Sequence, residues 1–251
     1  MSQKEAPFFV GYLPVPKALR GFLGVVAAGM LGFFGVLGWA MGTSQDDPGP
    51  GAFQGGRQTV TGILETTPYP VVHILEGTDA LPPGHTLMLA GGGKNGAMPQ
   101  AEGLDGRLVV ASGTLLKRGE LDMLQLRGGR RGLAEEEGEG SSPEPEDLGR
   151  WRLAGEICDG KCLAGAMRPG RGLAHKACAN LCLIGGVPPV FVSSQPIGGE
   201  EFLMITGPDG TELPEAAYDW TAQFISVEGR ITRHGSLLVF ALDPETIGLA
   251  R

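Results

Sequence analysis

The chain has 251 residues, 43 of them glycine and 19 proline, and is 42% hydrophobic, 19% charged and 6% aromatic with a formal net charge of -8. The apolar share is that of a globular protein, while the glycine load favours turns and short strands over long helices. An acidic chain with so few aromatic residues lacks the positive footprint and stacking platforms of a nucleic-acid binder, which excludes nucleic acid as a partner.

Residues 1–20 read as a short cytoplasmic segment. Residues 21–42, GFLGVVAAGMLGFFGVLGWAMG, carry no charge. At about 1.5 Å per residue, a helix of this length spans roughly 30 Å, the thickness of a bilayer core. Lys4, Lys17 and Arg20 precede it, and Asp46 and Asp47 follow. The positive-inside rule then places the N-terminus in the cytoplasm and the body on the periplasmic face of a bacterial inner membrane. Ala40-Met41-Gly42 offers a small-residue cleavage site as the alternative of a signal peptide, but the apolar run is long and begins late, which favours an uncleaved anchor. Gly24, Ala28, Gly29, Gly32, Gly35 and Gly38 leave room for close approach of other transmembrane helices.

Residues 43–56 read as a linker, followed by a first β-domain over 57–133. A second linker at 134–149, containing AEEEGEGSSPEPED, is too acidic and too poor in apolar residues to order itself. The second β-domain covers 150–251. The two blocks look related. ASGTLLKRGELDMLQL and VEGRITRHGSLLVFAL align without gaps, and each reads as a hairpin turning at Arg118-Gly119 or His234-Gly235. Strands broken at Gly62 and Gly155 open the blocks, and middle strands begin near Thr86 and Glu201. Such a repeated set of short strands predicts a mainly β protein: one N-terminal transmembrane helix, then two tandem small barrels or sandwiches of OB-like type. An anchor followed by an OB-like exported domain resembles, in architecture alone, the haem chaperone of cytochrome c maturation. That family has a single barrel and a haem-delivering histidine on a flexible tail, to which no residue here corresponds.

From opening to closing glycine, Gly155–Gly229 is 23 residues longer than Gly62–Gly113. The excess coincides with a cysteine-rich, partly helical insertion at 158–186 that holds all four cysteines: Cys158, Cys162, Cys178 and Cys182. Three chemistries compete for it. In an oxidising compartment the leading one is two disulfides, Cys158 and Cys162 each pairing with one of Cys178 and Cys182, because two cysteines one helical turn apart are poorly placed to bond each other. The second is a Zn or Cu(I) site drawing on Cys158, Cys162, His175, Cys178 and Cys182. The third is thiol–disulfide exchange, although neither pair has the Cys-x-x-Cys spacing. Gly91–Gly96, GGGKNG, departs from a phosphate-binding loop and reads as a hairpin loop.

No catalytic constellation stands out and no cofactor is expected beyond the metal alternative. The composite expectation is a non-enzymatic accessory subunit of a respiratory or redox membrane complex, bound to the bilayer, to other transmembrane helices and to periplasmic subunits. The alternative is a metal- or haem-handling protein built on the cysteine–histidine cluster.

Overall fold

The computed structural model describes residues 15–44, 49 and 51–250; the expected N-terminal tail up to residue 14, with Lys4, and the acidic pair Asp46 and Asp47 lie outside them. Two compact units separate at Pro48/Gly49. The first contains helix α1, Lys17–Ser44. Its stretch Lys17–Met41 has a mean hydropathy of 2.0 and is long and apolar enough to cross a membrane. Among the described residues, a Cβ built on Gly24, Gly29, Gly32, Gly35 or Gly38 meets no heavy atom within 4 Å.

The second unit is mainly β. Its strands are β1 (Ala52–Phe53), β2 (Gln58–Glu65), β3 (Val71–Glu76), β4 (Thr86–Ala90), β5 (Leu108–Arg118), β6 (Leu121–Leu126) and β7 (Leu133–Glu135). They continue with β8 (Glu146–Asp159), β9 (Pro189–Ile197), β10 (Glu200–Thr206), β11 (Ile225–His234), β12 (Leu237–Leu242) and β13 (Gly248–Leu249). A short helix α2, Met98–Ala101, lies between β4 and β5, and helix α3, Lys176–Ile184, between β8 and β9.

Both halves close into five-stranded barrels. The first runs β5-β2-β3-β4-β6 and returns to β5; the second runs β11-β8-β9-β10-β12 and returns to β11. In each, one parallel pair seals the barrel: Met88 faces Met123 between β4 and β6, and Met204 faces Val239 between β10 and β12. Closure gives each of the five barrel strands two neighbours, which is how a short-stranded sheet satisfies its backbone groups. The two hairpins turn where the sequence places them, with Gly119 at φ +54° and Gly235 at φ +59°, a left-handed conformation that glycine adopts without steric cost. Gly62 and Gly155 do not break their strands. They sit within β2 and β8, where a Cβ would come within 2.2 Å of His73 O or 2.1 Å of Val192 O.

Each barrel has its own core. Leu64, Val72, Leu87, Leu89, Leu115 and Leu124 fill the first. Ile157, Phe191, Leu203, Ile205 and Phe240 fill the second, where the Phe191 and Phe240 rings lie 5.5 Å apart. The alternate residues of the same strands build a third cluster between the barrels. Val71, Met88, Leu121 and Met123 of the first barrel meet Val190, Phe202, Met204 and Val239 of the second. This explains why the run TLMLA of β4 is buried on every residue: Leu87 and Leu89 point into the barrel while Met88 and Ala90 point to its neighbour. Each large apolar side chain so buried contributes about 1.5–3 kcal/mol, so the seam binds the barrels as a second core.

The linker expected at 134–149 is shorter than its composition suggests. Ala134 and Glu135 belong to β7, which pairs with β5, and Glu146 to Gly149 belong to β8, which pairs with β11. Backbone ladder bonds need no apolar side chains, so acidic residues at strand ends are recruited into the sheets. Between them the chain passes over the first barrel, bringing Gly140 close to the side chains of Leu75 and Ile63.

Candidate metal centre

The connections after the first strand of each barrel differ sharply. In the first barrel β2 reaches β3 through residues 66–70, whereas in the second β8 reaches β9 through residues 160–188, which hold a short π-turn (Cys162–Ala166), a 3-10 turn (Leu173–His175) and α3. Breakers around Pro169 and Gly170 end the first turn. The good helix formers KACANLCLI then make α3, which stops at Gly185.

Cys178 and Cys182 lie one turn apart on α3, and Cys162 approaches from the π-turn. The three sulfurs lie within 4.8 Å of one another. Cys162 Sγ is 3.9 Å from Cys182 Sγ, about twice a disulfide bond length, and all four cysteines are free thiols. Neither of the two cross-paired disulfides expected from the sequence is seen in the structure. Cys158 is not in the cluster at all. As the penultimate residue of β8 it points into the seam between the barrels, 1% exposed, with its thiol 3.3 Å from Glu156 Oε1. Burial first, and the nearby Glu156 carboxylate second, push that thiol well above its ordinary pKa, so it is a poor ligand and a poor nucleophile.

His175 is not part of the three-sulfur group, although its ring lies within 4.8 Å of the Cys162 sulfur. Its Nε2 lies 3.0 Å from Asp159 Oδ2, and Asp159 Oδ1 accepts the Cys162 backbone N–H at 2.8 Å. Both side chains are fully buried. Asp159 thus ties the 3-10 turn to the π-turn and fixes where the Cys162 backbone sits. Asp159, Cys162 and His175 form a second compact group that shares Cys162 with the first. His175 positions the centre instead of completing its sulfur set.

Residues distant in sequence finish the site. Lys94 Nζ donates to Cys178 Sγ at 2.6 Å and lies 3.9 Å from Cys182 Sγ. The Cys178 sulfur raises the lysine's pKa, which keeps it cationic. Lys161, 3% exposed, donates to the carbonyls of Gly91 at 2.6 Å and Gly93 at 2.7 Å; burial lowers its pKa. Met167 supplies a fourth sulfur, accepting from the Cys178 thiol at 3.6 Å. The coupling between Cys162 and Cys182 splits the pair: their mutual hydrogen bond, assisted by Lys94, lowers Cys182, whereas that same bond and burial push Cys162 up.

Lys94 reaches the site because two glycine runs interlock. Gly96 N donates to Gly185 O at 2.8 Å, a Cβ on Gly96 would lie 2.0 Å from Gly186 O, and one on Gly185 would lie 1.9 Å from Lys94 O. The GGGKNG loop is thus a docking loop that carries a first-barrel lysine to second-barrel cysteines. Neither Lys94 nor Met167 nor Asp159 is visible from cysteine spacing alone; the matching Gly-Gly runs at 91–93 and 185–186 are the nearest thing to a signal.

The geometry suits a soft metal ion. Sulfur ligands about 2.3 Å from a metal lie about 3.8 Å apart in a tetrahedron and about 4.0 Å apart in a trigonal plane. The separation of 3.9 Å for Cys162–Cys182 falls between those values, and the 3.6 Å of Cys178–Met167 is slightly shorter than both. Three thiolates and a thioether are the donor set of Cu(I), with Zn the harder competitor. Lys94 and Lys161 offset the negative charge that three thiolates leave over. No protein family, curated protein or solved structure matches the chain.

Proposed function

We propose that this protein is a membrane-anchored, periplasmic metal-handling protein whose two barrels, OB-like in strand order, hold a soft metal ion in a cysteine-rich insertion of the second. The observation that carries the reading is the convergence of Cys162, Cys178 and Cys182 within 4.8 Å, with Met167 beside them and Lys94 against them. When bound, a d10 ion would hold thiolates that an oxidising compartment otherwise pairs. The residues divide the work. Cys162 and Cys182 form the buried floor, and half-exposed Cys178 faces the approach. Asp159 and His175 fix the π-turn. The two lysines balance charge. Strand order supports the OB-like assignment, since both barrels follow the sequence 1-2-3-5-4-1 with a parallel 3–5 pair.

The experiment is differential alkylation. Protein purified under anaerobic conditions is labelled with iodoacetamide with and without one equivalent of Cu(I), then unfolded and mapped by mass spectrometry. The proposal predicts that Cu(I) slows labelling of Cys178 and leaves Cys158 labelled only after unfolding in both samples. Equal labelling of Cys178 with and without Cu(I) would contradict it.

A second reading, an accessory subunit of a respiratory or redox membrane complex, draws on a separate observation. Leu173, Leu181 and Ile184 on the same connection are 70%, 56% and 69% exposed, and among the described residues nothing lies within 4 Å of a Cβ built on the α1 glycines. Purification in mild detergent tests it: stoichiometric partners retained by the wild type and lost from Gly32→Leu support it, and a lone chain from native membranes opposes it.

A further inference from the structure

The two barrels make matching contacts, yet the seam between them is filled on one side and open on the other. On the filled side the π-turn of the cysteine connection packs against β5, β6 and β8. Leu163 and Ala164 enter the inter-barrel cluster, 1% and 0% exposed, beside Leu116, Leu121, Met123 and Cys158. Arg118 Nη1 donates to Leu163 O at 3.4 Å. On the other side the equivalent strands are β11, β12 and β2. They line a cavity of about 290 Å³ walled by Val71, Met204, Leu237 and Val239, with Glu65, Thr232 and His234 at its polar edge.

The correspondence is residue by residue. Thr232 opposes Val239 as Leu116 opposes Met123, and His234 opposes Leu237 as Arg118 opposes Leu121. Glu65 lies three residues beyond Gly62 in β2, as Cys158 lies three beyond Gly155 in β8. The first-barrel connection, residues 66–70, is short: its Thr67 and Pro68 line the cavity without filling it. Its edge differs in a useful way. His73 Nε2 lies 2.9 Å from Glu65 Oε2, and His234 Nε2 is 3.1 Å from Thr232 Oγ1, so a carboxylate and an imidazole stand where the filled side has a thiol and a guanidinium.

We propose that this cavity is a receptor pocket for an aliphatic peptide turn of a partner polypeptide, received as the chain receives its own Leu163–Ala164 turn on the opposite side. A branched aliphatic side chain would fill the Val71–Met204–Val239 floor, and the Glu65 carboxylate would accept a backbone N–H from the incoming turn. The pocket lies apart from the thiol centre and its test does not depend on metal.

The probe is an acetylated, amidated peptide of residues 161–167 with serine in place of cysteine, titrated into protein labelled with 13C at methionine methyl groups. The pocket predicts a saturable shift of the Met204 methyl with millimolar or tighter affinity. Thr232→Leu, or independently Ala241→Leu, fills the cavity and weakens that binding by about tenfold or more without lowering Tm. A peptide with Asp in place of Leu must not bind. Absence of a saturable Met204 shift, equal binding of the Asp peptide, or saturation by decanoate with none by the peptide would each overturn the proposal, the last by making the pocket a fatty-chain site. Two filling variants guard against one failing to fold.

Discussion

A Cβ on Gly235 would lie 2.5 Å from Thr86 Oγ1, and a Cβ on Gly119 would lie 3.4 Å from Phe202 Cε2. The relationship is reciprocal: the hairpin tip of each barrel touches the middle strand of the other, and Thr86 and Phe202 each stand two residues before the methionine of the parallel pair. On the second-barrel side the contact is polar. Thr86 Oγ1 donates to His234 O at 2.8 Å and Thr86 N donates to Ser236 Oγ at 2.9 Å. Tyr69 Oη adds a third bond across the seam by accepting from Leu213 N at 2.8 Å.

Both glycines have left-handed φ, so either alanine substitution carries about 1 kcal/mol of backbone cost. Only Gly235→Ala also forces the Thr86 hydroxyl away from its bond. Urea denaturation is expected to show Gly235→Ala destabilised by about 1–2 kcal/mol more than Gly119→Ala. Equal losses would mean that the seam yields at that point.

Much of this architecture is legible in the sequence, and the illegible part has a physical cause. The alignment of the two hairpins locates Gly119, Gly235 and the β5–β6 and β11–β12 hairpins, because a turn glycine and period-2 alternation are local signals. The seam is not local. Met88 and Met204 look like solvent-side residues of alternating strands until a second barrel covers them. The thiol centre follows the same rule: the stripe of Cys178 and Cys182 on α3 is readable from helical spacing, but β8 leads Cys158 elsewhere and Asp159 binds His175 beside Cys162. Lys94 arrives from 84 residues away.

Oxidation should join one particular pair. Cys162 and Cys182 are 3.9 Å apart, while Cys158 is held in the seam. Treatment of the metal-free protein with diamide removes two protons and two electrons from a dithiol, forming one S–S bond and the reduced hydrazine. Peptide mapping is expected to find Cys162 linked to Cys182. A Cys158-containing bridge in the folded protein would contradict the placement of β8.

Leu163 is both the plug of the seam and the neighbour of Cys162. Leu163→Ala removes a buried side chain from a closed packing site and is expected to cost about 2–5 kcal/mol by chemical denaturation. A loss below about 0.5 kcal/mol, the range of ordinary surface changes, would show that the π-turn does not fill the seam.

Burial lowers the pKa of His234 below its ordinary 6.5, with His73 adding to the effect and Glu65 opposing it. As pH falls through about 6.5 the unfolded chain takes up a proton that the folded chain does not, so stability declines. The decline levels off below the folded-state pKa, and above about 7.5 the group contributes no slope. His234→Gln should flatten the pH dependence of the urea midpoint between about 5.5 and 7. An unchanged slope would place the titration on other groups.

The most direct measurement of the metal-centre account is an anaerobic competition for Cu(I) against a chromophoric chelator, run on the wild type, Cys158→Ala and Cys182→Ala. The account predicts one Cu(I) per chain for the wild type and for Cys158→Ala, with affinity lowered by at least about tenfold in Cys182→Ala. Failure of the wild type to withdraw Cu(I) from the chelator, or equal loss in the Cys158 and Cys182 variants, would contradict it.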